Sequence, residues 1–229
     1  TVHLVVHPMF DALRDIAGEL KEVAYEIEGE HGLADGFVVL PESWMHIEID
    51  RVSDDEDLAE IERMLRRVLR DVRDAVEDWP RMQAKLLDIV GDIQQHPPID
   101  LPVTEVSHSI ELLRWLADDH FAFLGFREYD LVEDGKDIAL RAVPGTGLGI
   151  LRGDQLQSAG FSSLPAMVRA RAREPKLLVL AKANSKATVH RSAYLDYVGV
   201  KKFDEHGTVV GERRFLGLFS AATYTESVM

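Results

Sequence analysis

At 229 residues with 46% hydrophobic side chains, the chain is long enough for one or two domains, each with its own buried core, and its composition excludes a disordered polypeptide. A formal charge of -14 argues against nucleic acid as a main partner, because binding to a phosphate backbone draws its affinity from clustered Lys and Arg. The absence of cysteine removes disulfides, thiol nucleophiles and every Cys-containing zinc site, and it fits a reducing compartment such as the cytoplasm.

The opening TVHLVVHPMF lacks the basic start and long apolar middle of a signal peptide, and no uncharged run reaches the ~20 residues of a membrane span. It reads as an interior strand over residues 2–7, with Val2, Leu4 and Val6 alternating against His3, Val5 and His7 until Pro8 stops the pattern. A polar, Gly-containing stretch runs to Gly36. Phe37 to Leu40 is apolar and ends at Pro41; from Ser43 to Asp50 a strand is expected, with Trp44, His46 and Glu48 on one side and Met45, Ile47 and Ile49 on the other.

Ser53 to Asp57 supplies acceptors for the first amides of a helix, and Leu58, Ile61, Leu65, Val68, Leu69, Val72 and Val76 then recur in steps of three and four. The same stripe continues through Met82, Leu86, Ile89 and Ile93, so Pro80 marks either a kink or the start of a second helix capped by Asp78. QQHPPIDLP, residues 94–102, cannot stay helical and is the expected linker between a first module at 1–93 and a second at 103–229.

The second module opens on a helix containing Leu112, Leu113, Leu116 and Ala117. From Phe121 the period becomes two: Phe121, Phe123, Gly125, Arg127 and Tyr129 share one face, and Ala122, Leu124, Phe126 and Glu128 the other. Apolar residues on both faces of its first half make 121–131 a central strand. A turn at Glu133 to Gly135 and a strand at 137–143 complete a hairpin. A glycine-rich turn, Pro144 to Gly149, leads to one or two short helices over 154–173. Strands are expected at 176–181, 194–203 and 208–220, the last two separated by the turn Asp204 to Gly207. The fold class is α+β. The order helix, two strands, short helices, three strands resembles the PAS-type sensor fold; strand, strand, long helix is similar to the later part of a βαββαβ ACT domain.

No motif carries chemistry through. PGTGLG gives G-x-G-x-G instead of the dinucleotide spacing, and no lysine and hydroxyl pair follows it as a phosphate loop requires. His46-Ile47-Glu48 matches the H-x-E of zinc deaminases but lacks their cysteines. His3 and His7 are polar members of a strand, and Asp118, Asp119 and His120 solvate a helix end with no nucleophile identifiable beside them. No catalytic, cofactor-binding or metal-binding residue is therefore assigned. Against the acidic background Lys182, Lys186, Arg191, Lys201, Lys202, Arg213 and Arg214 concentrate positive charge in the last third. Such residues either protect strand edges from aggregation or meet an acidic neighbour or anionic ligand; the sequence admits both. In a PAS-like pocket, His190, Arg191 and Tyr194 would be the polar contacts.

Five blocks in one order, TVHLVVHPMF, ESWMHIEIDR, RWLADDHFAFLGFREYDL, VPGTGLGILRGD and HRSAYLDYVGVKKFDEHGTVVGERRFLGLFSAATY, resemble the N-terminal region of the large NAD-dependent glutamate dehydrogenases. That resemblance implies a non-catalytic regulatory and assembly segment of a homo-oligomer, with the other domains and subunits of the same enzyme as its partners. The catalytic lysine and aspartate and the NAD site would lie downstream, in a domain that converts L-glutamate, NAD and water to 2-oxoglutarate, ammonium and NADH. An amino-acid effector is the further partner the resemblance admits, although the turn after the first ACT strand, where such effectors bind, is missing. The alternative is a PAS- or ACT-type module that senses a small metabolite.

Overall fold

The computed structural model describes residues 1–27, 36–134, 137–153, 162–163 and 173–220. They fall into two compact units, Thr1–Glu62 and Arg63–Met229.

In the first unit β1 (Val2–Val6) pairs antiparallel with β5 (His46–Ile49), while β2 (Met9–Asp15) lies between β3 (Leu20–Ala24) and β4 (Phe37–Ser43). The two sheets keep one register along the chain. Val6 faces His46 and Met9 faces Ser43, so both strands advance three residues across the break. Pro8 has no amide to give the ladder, yet its carbonyl still accepts from the Trp44 amide at 3.0 Å.

The polar, Gly-containing stretch before Gly36, to which the sequence assigns no element, contains β2 and β3. Here Asp15 closes a tight turn by accepting from the amides of Ala17 and Glu19, both at 2.9 Å, and Gly18 at φ +84° supplies the left-handed backbone it requires. Pro41 does not end its strand. β4 is an edge strand with β2 on one side only, where a proline costs no ladder bond if its nitrogen faces outward. A bidentate Arg14–Glu42 pair, at 2.5 and 3.0 Å, ties β2 to β4, and Phe10 packs on Tyr25 and Trp44 with ring centroids 4.9 and 5.7 Å apart.

Helix α1 runs unbroken from Asp55 to Gln95, begun by Asp54, whose carboxylate accepts from the amides of Glu56 and Asp57. Pro80 sits inside it without ending it. The lost hydrogen bond and ring clash cost about 3 kcal/mol, whereas burying Met82, Leu86, Ile89 and Ile93 contributes roughly 1.5–3 kcal/mol each, so packing decides. The residues after Gln95 do not separate domains: Leu101 lies in the same core as Leu86 and Ile93. The break between the compact units comes at Glu62/Arg63, within α1, and not at 94–102.

The second unit continues with α2 (Val103–Trp115) and a π-type turn, Leu116–His120, in which Asp119 takes φ +56°. The sheet follows: β6 (Phe121–Asp134), β7 (Asp137–Ala142), β8 (Leu148–Gly149), β9 (Ser162–Ser163), β10 (Leu178–Lys186), β11 (Tyr194–Phe203) and β12 (Val209–Phe219). Its order is β10-β11-β12-β6-β7-β9, antiparallel throughout, with β8 also on β6. β10 runs past the expected end at Ala181, since its ladder with β11 resumes at Lys186–Tyr194 after an irregularity. Apart from Ser162, Ser163 and Arg173, the expected helices at 154–173 lie outside the described residues.

One departure from strict alternation shapes the core. Leu216 faces Gly125 but Gly217 faces Phe123, so Leu124 is an extra residue in β6. The bulge turns Phe121 and Phe123 to the same side as Phe126, and all three join Phe215, Val198 and Val200 against Met82, Leu86, Leu113 and Leu116. Edge-to-tilted ring contacts of 4.7 to 5.8 Å hold that cluster together.

Candidate functional site

α1 and α2 cover the sheet face bearing Val198, Val200 and Phe215. Residues one step away point to the opposite face. Cross-strand register there aligns Lys201 with Glu212 and Tyr129, and Gly199 with Arg214 and Arg127. Glu212 and Lys201 are buried, as are Tyr129 and Arg127.

Glu212 is the hub. It accepts from the Tyr197 hydroxyl and from Arg214 Nη2 at 3.4 Å, and the Lys201 ammonium stands 3.7 Å from its other oxygen. The Arg214 guanidinium lies 4.1 Å from the Tyr129 ring centroid and 5.0 Å from that of Tyr197, a cation–π sandwich. Gly199 makes the arrangement possible, because a Cβ there would meet the Glu212 carboxyl carbon and the Tyr197 ring at 2.9 Å.

Burial and the Glu212 charge push the Tyr197 hydroxyl well above the ordinary tyrosine range. Burial lowers Lys201 despite the pull of Glu212. Arg214 loses hydration too, but Tyr197, Tyr129 and Glu212 outweigh the loss and raise it. A half-buried guanidinium between two aromatic faces is chemistry suited to holding a planar anion.

A second network fixes the turn after β7. Asp78 on α1 is fully buried and accepts from the Gly149 amide at 2.9 Å, from Arg152 at 2.8 and 2.9 Å, and from Arg81 at 2.9 Å. Burial opposes its charge, yet the donors from Arg152 and Gly149 outweigh that and hold the carboxyl below the usual range. Gly149, at φ +58°, admits no side chain: a Cβ would come within 2.1 Å of the Leu124 carbonyl oxygen. Arg127 Nη2 donates to the carbonyls of Leu151 and Gly153, at 2.6 and 2.8 Å, so this turn also reaches the polar face of the sheet. The glycine-rich PGTGLG segment thus serves as an anchored turn.

The basic residues singled out in the sequence do not converge. Lys201 and Arg214 belong to the Glu212 cluster, whereas Lys202 and Arg213 face the helices. Lys202 pairs with Asp130 at 3.1 Å and Glu128 at 3.7 Å, and Arg213 with Asp92 at 3.2 Å. His190, Arg191 and Tyr194 lie in or beside the connection from β10 to β11, all exposed. His190 takes φ +73°, Arg191 donates to the Phe219 carbonyl at 2.8 Å, and the Tyr194 ring lies 5.7 Å from Lys186 Nζ.

Tyr129, Tyr197 and Glu212 escaped the sequence reading. Their signal was the two-residue period of FREYD, YLDYVGVKKF and GERRF, which places them on one face only once the pairing register is known. Between the end of α1 and β11, a cleft of about 420 Å³ is lined by residues that include Asp92, His96, Phe203 and Arg213, with Asp92 paired to both His96 and Arg213. Among the described residues, no group of three or more His, Asp or Glu is placed to hold a metal ion, and no helix is long and apolar enough to cross a membrane.

Residues 1–65 match the family model described as glutamate dehydrogenase, ACT1 domain. Curated relatives match nearly the entire chain. An NAD-specific glutamate dehydrogenase of Halomonas elongata is 35% identical over 99% of this chain, one of Pseudomonas aeruginosa 33% over 100%, and one of Mycobacterium tuberculosis 32% over 98%. The chain spans only 12–14% of the length of these relatives. A match to the ACT1 model at one end, with curated similarity continuing through the second unit, makes this chain an N-terminal region of the large NAD-specific glutamate dehydrogenase family.

Proposed function

We propose that the chain is a non-catalytic regulatory and assembly segment of a cytoplasmic, homo-oligomeric enzyme that oxidises L-glutamate with NAD and water to 2-oxoglutarate, ammonium and NADH. The nucleotide and the catalytic groups belong to other parts of that polypeptide, and the partners of this segment are the neighbouring domains and subunits. The ACT1 match supports the regulatory part.

One observation carries the assembly part. Leu65, Val68, Val72, Ala75, Trp79, Met82, Leu86, Ile89 and Ile93 follow one another in alternating steps of three and four along α1, the spacing of a helix that packs along its length. From Ala75 onward most of that seam is buried, but Leu65, Leu69, Val72 and Val76 are 49%, 51%, 38% and 68% exposed. Such a contiguous apolar stripe marks an interaction surface. Replacing Leu69 and Val72 with Glu in the full-length enzyme tests this: lowered oligomeric mass or an altered effector response is expected, with turnover per active site retained.

A second reading, a PAS-like module sensing a small metabolite, is favoured by a specific feature. α2, β6, β7, β10, β11 and β12 follow in the expected chain order, with all five strands in one antiparallel sheet, helices on one face and polar side chains on the other. Thermal shift of the enzyme across amino acids and dicarboxylates separates the readings, since a ligand that binds only the folded form raises the melting temperature.

A further inference from the structure

Arg214 is bound less completely than its setting demands. Its Nε is buried and has no hydrogen-bond partner among the described residues, and its bond to Glu212 is long, at 3.4 Å. Glu212 is meanwhile shared with Tyr197 and Lys201, so it cannot satisfy the guanidinium fully. An unsatisfied buried donor destabilises the fold, a cost that a folded chain offsets when the group has a use. Arg214 nevertheless keeps 24% of its side chain accessible, so it can be approached from solvent while its inner edge stays dry.

We infer that Arg214, flanked by Tyr129 and Tyr197 and backed by Glu212, is the anchor of a binding site for a small carboxylate ligand. The guanidinium is a planar fork whose paired donors match a carboxylate in two parallel hydrogen bonds. The aromatic rings 4.1 and 5.0 Å from it favour a flat group in the same layer. Glu212 selects the charge. A carboxylate already 3.4 Å from the guanidinium repels a phosphate dianion about twice as strongly as a monoanionic carboxylate at the same distance. The flat floor at Gly199, where a Cβ would strike both Glu212 and Tyr197 at 2.9 Å, keeps hub and aromatic wall in place. This site stands independently of the assembly role, which rests on α1.

Hydrogen exchange read by mass spectrometry on the full-length enzyme tests the site where it lies, apart from any substrate bound elsewhere. The probes are acetate, L-glutamate and 2-oxoglutarate, with inorganic phosphate as the contrasting anion. At least one carboxylate is expected to slow exchange in peptides from β11 and β12 in a saturable manner, and phosphate is not. In Arg214→Gln the half-saturating concentration should rise at least tenfold, and in Arg214→Lys, which keeps the charge but loses the fork, several-fold. Arg213→Gln, on the opposite face, should respond as the native protein does. Absence of carboxylate protection in those peptides of the native enzyme, protection by phosphate alone, or an unchanged response in both Arg214 variants would overturn the site. If Arg214→Gln fails to fold, the native arm and Arg214→Lys still decide.

Discussion

Asp78 shows how one carboxylate organises a turn made far away in sequence. Its donors come from Gly149 and Arg152 as well as from Arg81 on its own helix, so removing it leaves the turn amide unpaired and Arg152 held only by Asp74 and Glu77. Asp78→Ala is expected to destabilise the second unit by roughly 3 kcal/mol, the low end for breaking a buried pair, because Arg152 is 37% exposed and can rehydrate. Urea unfolding measures it. The carboxyl is held below its ordinary range, so its stabilisation is present above the unfolded value of about 3.9 and is lost as pH falls through the lower folded value. Stability should therefore drop below about pH 4, and less steeply in Asp78→Asn. Tyr197 gives the opposite sign. Its raised hydroxyl contributes fully below the unfolded value of about 10, and the contribution fades as pH climbs beyond it. Tyr197→Phe should flatten that alkaline decline while costing about 1–3 kcal/mol at neutral pH through the donor lost to Glu212.

Among elements, α1 was legible because its apolar spacing persists over many turns, and the β6–β7 hairpin because a clear alternation flanks a turn. β2 was not. In MFDALRD the apolar and polar residues alternate only loosely, and the fully buried position is Ala12, a weak hydrophobic signal. Pro41 and Pro80 misled for a related reason: proline states a local preference, while tolerance depends on whether the strand is an edge and on what the rest of the helix buries. The bulge at Leu124 was invisible for want of a partner, since an extra residue exists only relative to the strand opposite. Of the Glu212 cluster only Lys201 and Arg214 were legible, as basic residues, and that they share a face follows from the β11–β12 register alone. Gly149→Ala tests the anchoring of the turn. With φ +58° and a Cβ 2.1 Å from the Leu124 carbonyl, about 1–3 kcal/mol of strain is expected as a lowered urea midpoint. Gly145→Ala, also at positive φ but with nothing near its Cβ, should cost less.

For the molecule as a whole, the two units divide within α1, which begins inside the residues that match the ACT1 model. The most direct measurement is made on the full-length enzyme with Leu69 and Val72 both replaced by Glu, recording oligomeric mass, effector response and NADH formation from L-glutamate together. The account predicts a changed mass or effector response with turnover per active site within about twofold of native, a change of less than about 0.5 kcal/mol in the barrier. Unchanged assembly and regulation, or turnover abolished while both persist, would contradict it.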